Sequence, residues 1–148
     1  MIKPAFRTAF VLTSTVAMTA GLMSVPANAA PTAQARIAAL PTCDHFSVRK
    51  VQKGTVRFPS VGADTKQTNC KLQYGNHNWG VVALQQWLLY CNGAKQIVVD
   101  GIYGAVTRDV VRWLQAANGV TADGVYGPET SSILRKTVFV ENKVVGCV

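Results

Sequence analysis

Two aspartates stand in the same local phrase, Asp100 in D-G-I-Y-G-A-V-T (100–107) and Asp123 in D-G-V-Y-G-P-E-T (123–130). A pair of carboxyl groups with split proton affinities is the minimal equipment for cleaving a glycosidic bond. The doubled aspartate is therefore the first place to look for catalysis. Yet every residue type in the phrase also serves a turn that starts a helix. Asp-Gly is a turn dipeptide: Asp bonds the backbone two residues on, and Gly accepts positive φ. Gly127-Pro128 suits a helix beginning, with Pro pre-set for the first position. Thr107 and Thr130 fall in a first turn, where a hydroxyl meets an unpaired backbone donor. Ile102 and Val125 can plug a core. The phrase reads as a repeated turn-and-cap unit. Asp100 and Asp123 remain candidates for ligand contact, not for catalysis.

Other chemistries fare no better. The acids beyond these two, apart from residues 1–29, are Asp44, Asp64, Asp109, Glu129 and Glu141, and they form no pattern. Glu129 is explained by the favourable field at a helix start. The histidines, His45 and His77, are too few and too scattered for a metal-dependent hydrolase. Cys43 lies near His45, but four cysteines in an oxidising compartment pair rather than act as nucleophiles. The expectation is a non-enzyme with no metal and no cofactor. Binding would then fall to aromatic faces, on which sugar rings stack. Trp79, Trp87 and Trp113 are candidates, as are Tyr103 and Tyr126, whose rings can pack while a hydroxyl reaches the surface.

These residues need a frame. Lys3 and Arg7 precede an uncharged, mostly apolar run from Ala9 to Val25, and Pro26 leads into Ala27-Asn28-Ala29-Ala30. This is the pattern of a secretory signal peptide, assigned to 1–29. Nothing later is apolar enough to span a bilayer. Residues 30–42, rich in Ala, Pro and Thr, read as a flexible linker. Residues 43–78 read as a disulfide-tied extension of strand and loop, with alternation at Phe46 and Val48 and again at Val56 and Phe58. The four cysteines, Cys43, Cys70, Cys91 and Cys147, predict two disulfides. Spacing leaves three pairings open; Cys70–Cys91 with Cys43–Cys147 is favoured because the second would tie the ends together.

Residues 79–136 carry the helical signal. Gly80–Tyr90 places Val81, Leu84 and Leu88 on one face, and Asn92-Gly93 stops it. Ala105–Ala117 follows, with Val110, Val111, Leu114 and Ala117 as its stripe and Asn118-Gly119 as its stop. A short helix from Pro128 to about Lys136 comes third, and 137–148 reads as a strand or hairpin. Val81-x-x-Leu84-Gln85 echoes Val111-x-x-Leu114-Gln115, which suggests a pseudo-repeat.

In these segments the chain resembles the type-1, three-helix family of peptidoglycan-binding domains, in a small stand-alone exported version. The family's helix, D-G turn, helix and D-G turn stand here as Val81–Leu88, Val99–Thr107, Val111–Gly119 and Asp123–Thr130. The resemblance covers about residues 79–136. Leu114 replaces a usual aromatic, Ser131 a frequent Trp, Ala105 a common Pro, and Tyr103 and Tyr126 the usual Phe or aliphatic. Trp87 and Trp113 stand where the family commonly has small residues, which marks them as candidate glycan contacts. The expected fold is mainly α: a three-helix bundle with a pseudo-repeat, short β-strands from the two extensions, and two disulfides.

The resemblance implies a secreted, non-catalytic module held at the cell wall. The chain carries a net charge of +8, and Arg49, Lys50, Lys53, Arg57, Lys66 and Lys71 crowd one stretch. That charge favours anionic partners. Peptidoglycan or an anionic cell-wall polymer is therefore the expected partner, with no nucleic acid, no membrane span after signal removal, and a monomeric state. Alternatives are a protein-interaction or inhibitor domain on the same scaffold, since fold does not fix function, and an unrecognised wall hydrolase.

Overall fold

In the computed structural model, which describes residues 30–148, the alternating segments at the two ends of the domain meet in one sheet. The signal peptide expected over 1–29 lies outside the described residues. A six-residue helix, α1 (Ala33–Ala38), is capped by Thr32, whose hydroxyl accepts from the Ala35 N–H. Strands β1 (His45–Val51) and β2 (Gly54–Ser60) form a hairpin. Helices α2 (Trp79–Cys91), α3 (Ala105–Ala117) and α4 (Pro128–Ile133) follow. Strands β3 (Thr137–Val140) and β4 (Lys143–Cys147) close the chain. Glu141 and Asn142 both have positive φ, the geometry of a two-residue hairpin turn that matches strand twist.

The sheet is antiparallel with order β1-β2-β3-β4. Its centre is the pairing of Thr55 with Phe139 and Val56 with Val138. This corrects the expected mainly-α bundle: four helices share the domain with a four-stranded sheet that covers one side of α2. The strand segments were legible one by one. Their union, across more than eighty residues, leaves no trace in local periodicity.

Burial around α2 follows from this. Val81, Leu84 and Leu88 are buried as the stripe requires, but so are Gly80, Ala83 and Trp87. Trp87 sits edge-on to Phe58, with ring centroids 5.3 Å apart, and to Tyr126 at 6.2 Å. It joins Val56 and Val138 of the sheet to Leu72, Leu134 and the helices in one core. Gly80 allows the approach: a Cβ there would lie 2.5 Å from the Cys43 carbonyl oxygen.

The disulfides are Cys43–Cys70 and Cys91–Cys147, which corrects the favoured pairing. Cys43 leads into β1 and Cys147 ends β4, at opposite edges of the sheet. Three strand spacings separate such edges by about 14 Å, twice the reach of a disulfide, roughly 7 Å between Cα atoms. Cys43 instead meets its neighbour through the backbone, its N–H donating to the Lys71 carbonyl at 2.9 Å. The 30–42 segment is tied at the same place: the Lys71 N–H donates to the Pro41 carbonyl and its ammonium to that of Ala38.

Candidate functional site

The two D-G turns are held by two glutamines. Gln85 of α2 donates through Nε2 to Asp100 Oδ1 (2.8 Å) and the Ile102 carbonyl (3.0 Å). Its Oε1 accepts from the N–H groups of Asp100 (3.1 Å) and Gly101 (2.8 Å). Gln115 of α3 repeats the arrangement on the second turn. Its Nε2 donates to Asp123 Oδ1, the Val125 carbonyl and Thr130 Oγ1, and its Oε1 accepts from the Gly124 N–H. Each aspartate also accepts from the N–H two residues on. The unit is thus Q…D-G-x-Y-G-x-x-T, a helix glutamine clasping the turn that launches the next helix. Gly101 and Gly124 supply the positive φ it needs, 77° and 72°.

The tyrosines of the phrase face inward. Tyr103 is buried and donates its hydroxyl to the Gly124 carbonyl (2.9 Å), joining the first turn to the second. Tyr126 is buried against Trp87. Of the aromatic candidates, Trp87, Tyr103 and Tyr126 therefore offer no face to a ligand, while Trp113 (63% exposed) and Trp79 (59%) do. Burial pushes both phenols above the ordinary value of 10.0. A group whose folded pKa is raised favours the folded state below its unfolded pKa, near 10, and that contribution is lost as pH rises further. In an alkaline titration followed at 295 nm, phenolate absorbance from these two residues is expected to appear together with loss of the near-UV CD signal. Ionisation of all four tyrosines in a protein that is still folded would contradict the burial.

Trp79 stands at the start of α2, beside a cleft of about 760 Å³. From β1 and its approach come Asp44 and His45, from the loop before α2 come His77 and Asn78, and from the first D-G turn come Asp100 and Gly101. Asn78 caps α2, its side-chain oxygen accepting from the Val81 N–H. Both carboxylates are held below their usual range: Asp44 chiefly by the Gly62 N–H (2.6 Å), Asp100 by the Ile102 N–H and then the Gln85 amide. His45 Nδ1 lies 3.6 Å from Asp44 Oδ1. Among the described residues no group of three or more His, Cys, Asp or Glu is arranged to hold a metal.

Asp100 also borders a second recess, lined by Gln96, Val98, Ile102 and Val106. Gln96 and Val106 continue into a third with Asp109 and Trp113. Val106, Asp109, Val110 and Trp113 share one face of α3 at positions i, i+3, i+4 and i+7. Three neighbouring recesses, linked by shared lining residues and together termed the furrow, thus lie between Trp79 and Trp113, while Asp123 is turned to the Gln115 clasp. Sequence reasoning named Trp79 but did not join it to Asp44, His45 and His77, which the β extension and the loop carry to it. It also named the two glutamines only as part of the helix echo and gave them no role. The signal was present: an amide at the same register of both helices, on the apolar side.

A sheet-backed helical module with clasped D-G turns and a furrow bearing two exposed tryptophans has the make-up of a binding domain. Residues 79–134 match the family model described as "Putative peptidoglycan binding domain". A solved structure, the crystal structure of the SleB N-terminal domain, is 34% identical, covering 44% of this chain and 88% of that one, with a TM-score of 0.41. No curated protein matches the chain.

Proposed function

We propose that the chain is a secreted, non-catalytic module that binds cell-wall peptidoglycan along the furrow from Trp79 to Trp113. The observation that carries this reading is the match of residues 79–134 to that family model. On this reading residues 1–29 direct export, 43–78 and 137–148 are additions that brace the matched domain, and 43–78 forms one wall of its cleft. The paired cysteines suit an exported, oxidising location. Among the described residues no helix is long and apolar enough to cross a membrane. After residue 29 the chain keeps thirteen basic and seven acidic residues, a net +6, which draws it to anionic wall polymers rather than to nucleic acid. We take it to act as a monomer.

The electrostatics of the cleft support binding without cleavage. A glycosidase needs one carboxyl group raised so that it can protonate the leaving oxygen. Asp44 and Asp100 are both lowered, so both are ionised at neutral pH. As acceptors, they suit sugar hydroxyls and amide N–H groups.

Sedimentation with purified sacculi tests the proposal. The oxidised protein is expected in the pellet at low salt, with no release of soluble muropeptides. Trp79→Ala and Trp113→Ala should each weaken binding roughly five-fold, the loss of about 1 kcal/mol of stacking, with unchanged near-UV CD from the core. A wild-type protein that stays in the supernatant overturns the wall-binding reading. Wild-type sedimentation unchanged by both substitutions overturns the furrow as its site.

A further inference from the structure

The β extension carries a recess of its own, of about 430 Å³, remote in sequence from residues 79–134. Ser47, Val48 and Arg49 of β1 line it, with Asp64, Thr65 and Lys66 of the loop after β2. Arg49 is fixed in place. Its guanidinium lies 4.7 Å over the Phe58 ring and donates to Thr68 Oγ1 (3.2 Å) and the Lys66 carbonyl (3.4 Å). The Lys66 ammonium has no hydrogen-bond or ion-pair partner among the described residues. Asp64 forms no ion pair within 4.0 Å with either cation, so opposite charges line one recess without neutralising each other. Ser47 is 3% exposed, and its hydroxyl is buried with no partner among the described residues. A buried hydroxyl without a partner carries a desolvation penalty that a ligand can remove. The Thr65 hydroxyl is already committed to the Val61 carbonyl.

Separated charges of both signs and an unused hydroxyl are complementary to a ligand that itself carries both signs. We propose that this recess binds the head group of an α-amino acid, with its carboxylate on Arg49 and Lys66 and its ammonium on Asp64. The planar guanidinium matches a carboxylate, and Lys66 adds a mobile point charge. The Ser47 hydroxyl gives the bound group a further hydrogen bond, and Val48 is an apolar wall for the carbon that joins the two charges. The recess is larger than the head group alone and leaves room for a chain attached to it. The proposal does not depend on wall binding by the furrow.

Amide chemical shifts of the oxidised protein, titrated with small probes, test it. Alanine, which has both charges, is expected to move the amides of Ser47, Arg49, Asp64 and Lys66. N-acetylalanine, which lacks the ammonium, and alaninamide, which lacks the carboxylate, should each bind at least ten-fold more weakly. Asp64→Asn should abolish the preference for alanine over N-acetylalanine. Asn also tolerates the positive φ of 54° found there, so the loop is kept. Nε-acetyllysine, with the same head group on an acylated arm, separates the two sources. Binding at least as tight as alanine assigns the site to an amino acid displayed on a longer molecule, and weaker binding to a free one. Equal shifts with N-acetylalanine and inorganic phosphate would make this a plain anion site and overturn the proposal, as would shifts confined to the Trp79 cleft or no shifts at all.

Discussion

Replacing Gln115 with alanine is expected to lower the unfolding free energy by about 4 kcal/mol, at about 1 kcal/mol for each of the four side-chain hydrogen bonds lost. The Gln115 side chain is 2% exposed and satisfies four groups on the second turn. Without it the Gly124 N–H loses its acceptor. Asp123 Oδ1 keeps only the Val125 N–H, while Asp123 Oδ2 is already buried without a partner among the described residues. The same change at Gln85 should cost less. Its contact with Thr107 is 3.5 Å, against 2.9 Å between Gln115 and Thr130, and Asp100, which it clasps, is exposed, so water can replace part of what is lost. Urea unfolding checks both: the midpoint should fall with the slope unchanged. A loss below about 0.5 kcal/mol for Gln115→Ala, the range of an ordinary surface change, would show that the clasp does not hold the turn.

Removing the Cys91–Cys147 bond, by changing both residues to alanine, is expected to cost about 4 kcal/mol, the loop-closure entropy for its span. The bond joins residues 56 apart, against 27 for Cys43–Cys70, whose loss should cost about 3.5 kcal/mol on the same account. The local effects should also differ. β4 is exposed from Lys143 to Gly146 and pairs only with β3, so little besides its ladder and the disulfide keeps it on the sheet. Amide exchange in β4 should speed up before any change at Val56 or Trp87. Unaltered protection in β4 would mean that the β3 ladder alone is sufficient to hold it.

Helices α2, α3 and α4 could be read in advance because their signals are local, whereas α1 falls in the 30–42 segment read as a flexible linker. Asn118-Gly119 ends α3 and Gly127-Pro128 begins α4 through backbone preferences that act within a few residues. The aspartates could be assigned to turns for the same reason. The roles of Trp87 and Trp113 could not be separated: both are indoles on helices, and only the position of a distant partner decides which is covered. Phe58 and Tyr126 cover Trp87, whereas nothing packs over Trp113 to a comparable extent.

By itself the sequence determined what short range physics can determine: three helices, two repeated turns, strand segments at either end and an even set of cysteines. The tertiary structure decided how the ends meet. Pairing Val56 with Val138 turned two extensions into one sheet, set Cys43 and Cys147 at opposite edges, buried the far side of α2, and brought Asp44 and His45 to Trp79. The reason is that strand pairing between segments eighty residues apart is chosen by what the assembled core can bury, and neither segment carries that information alone.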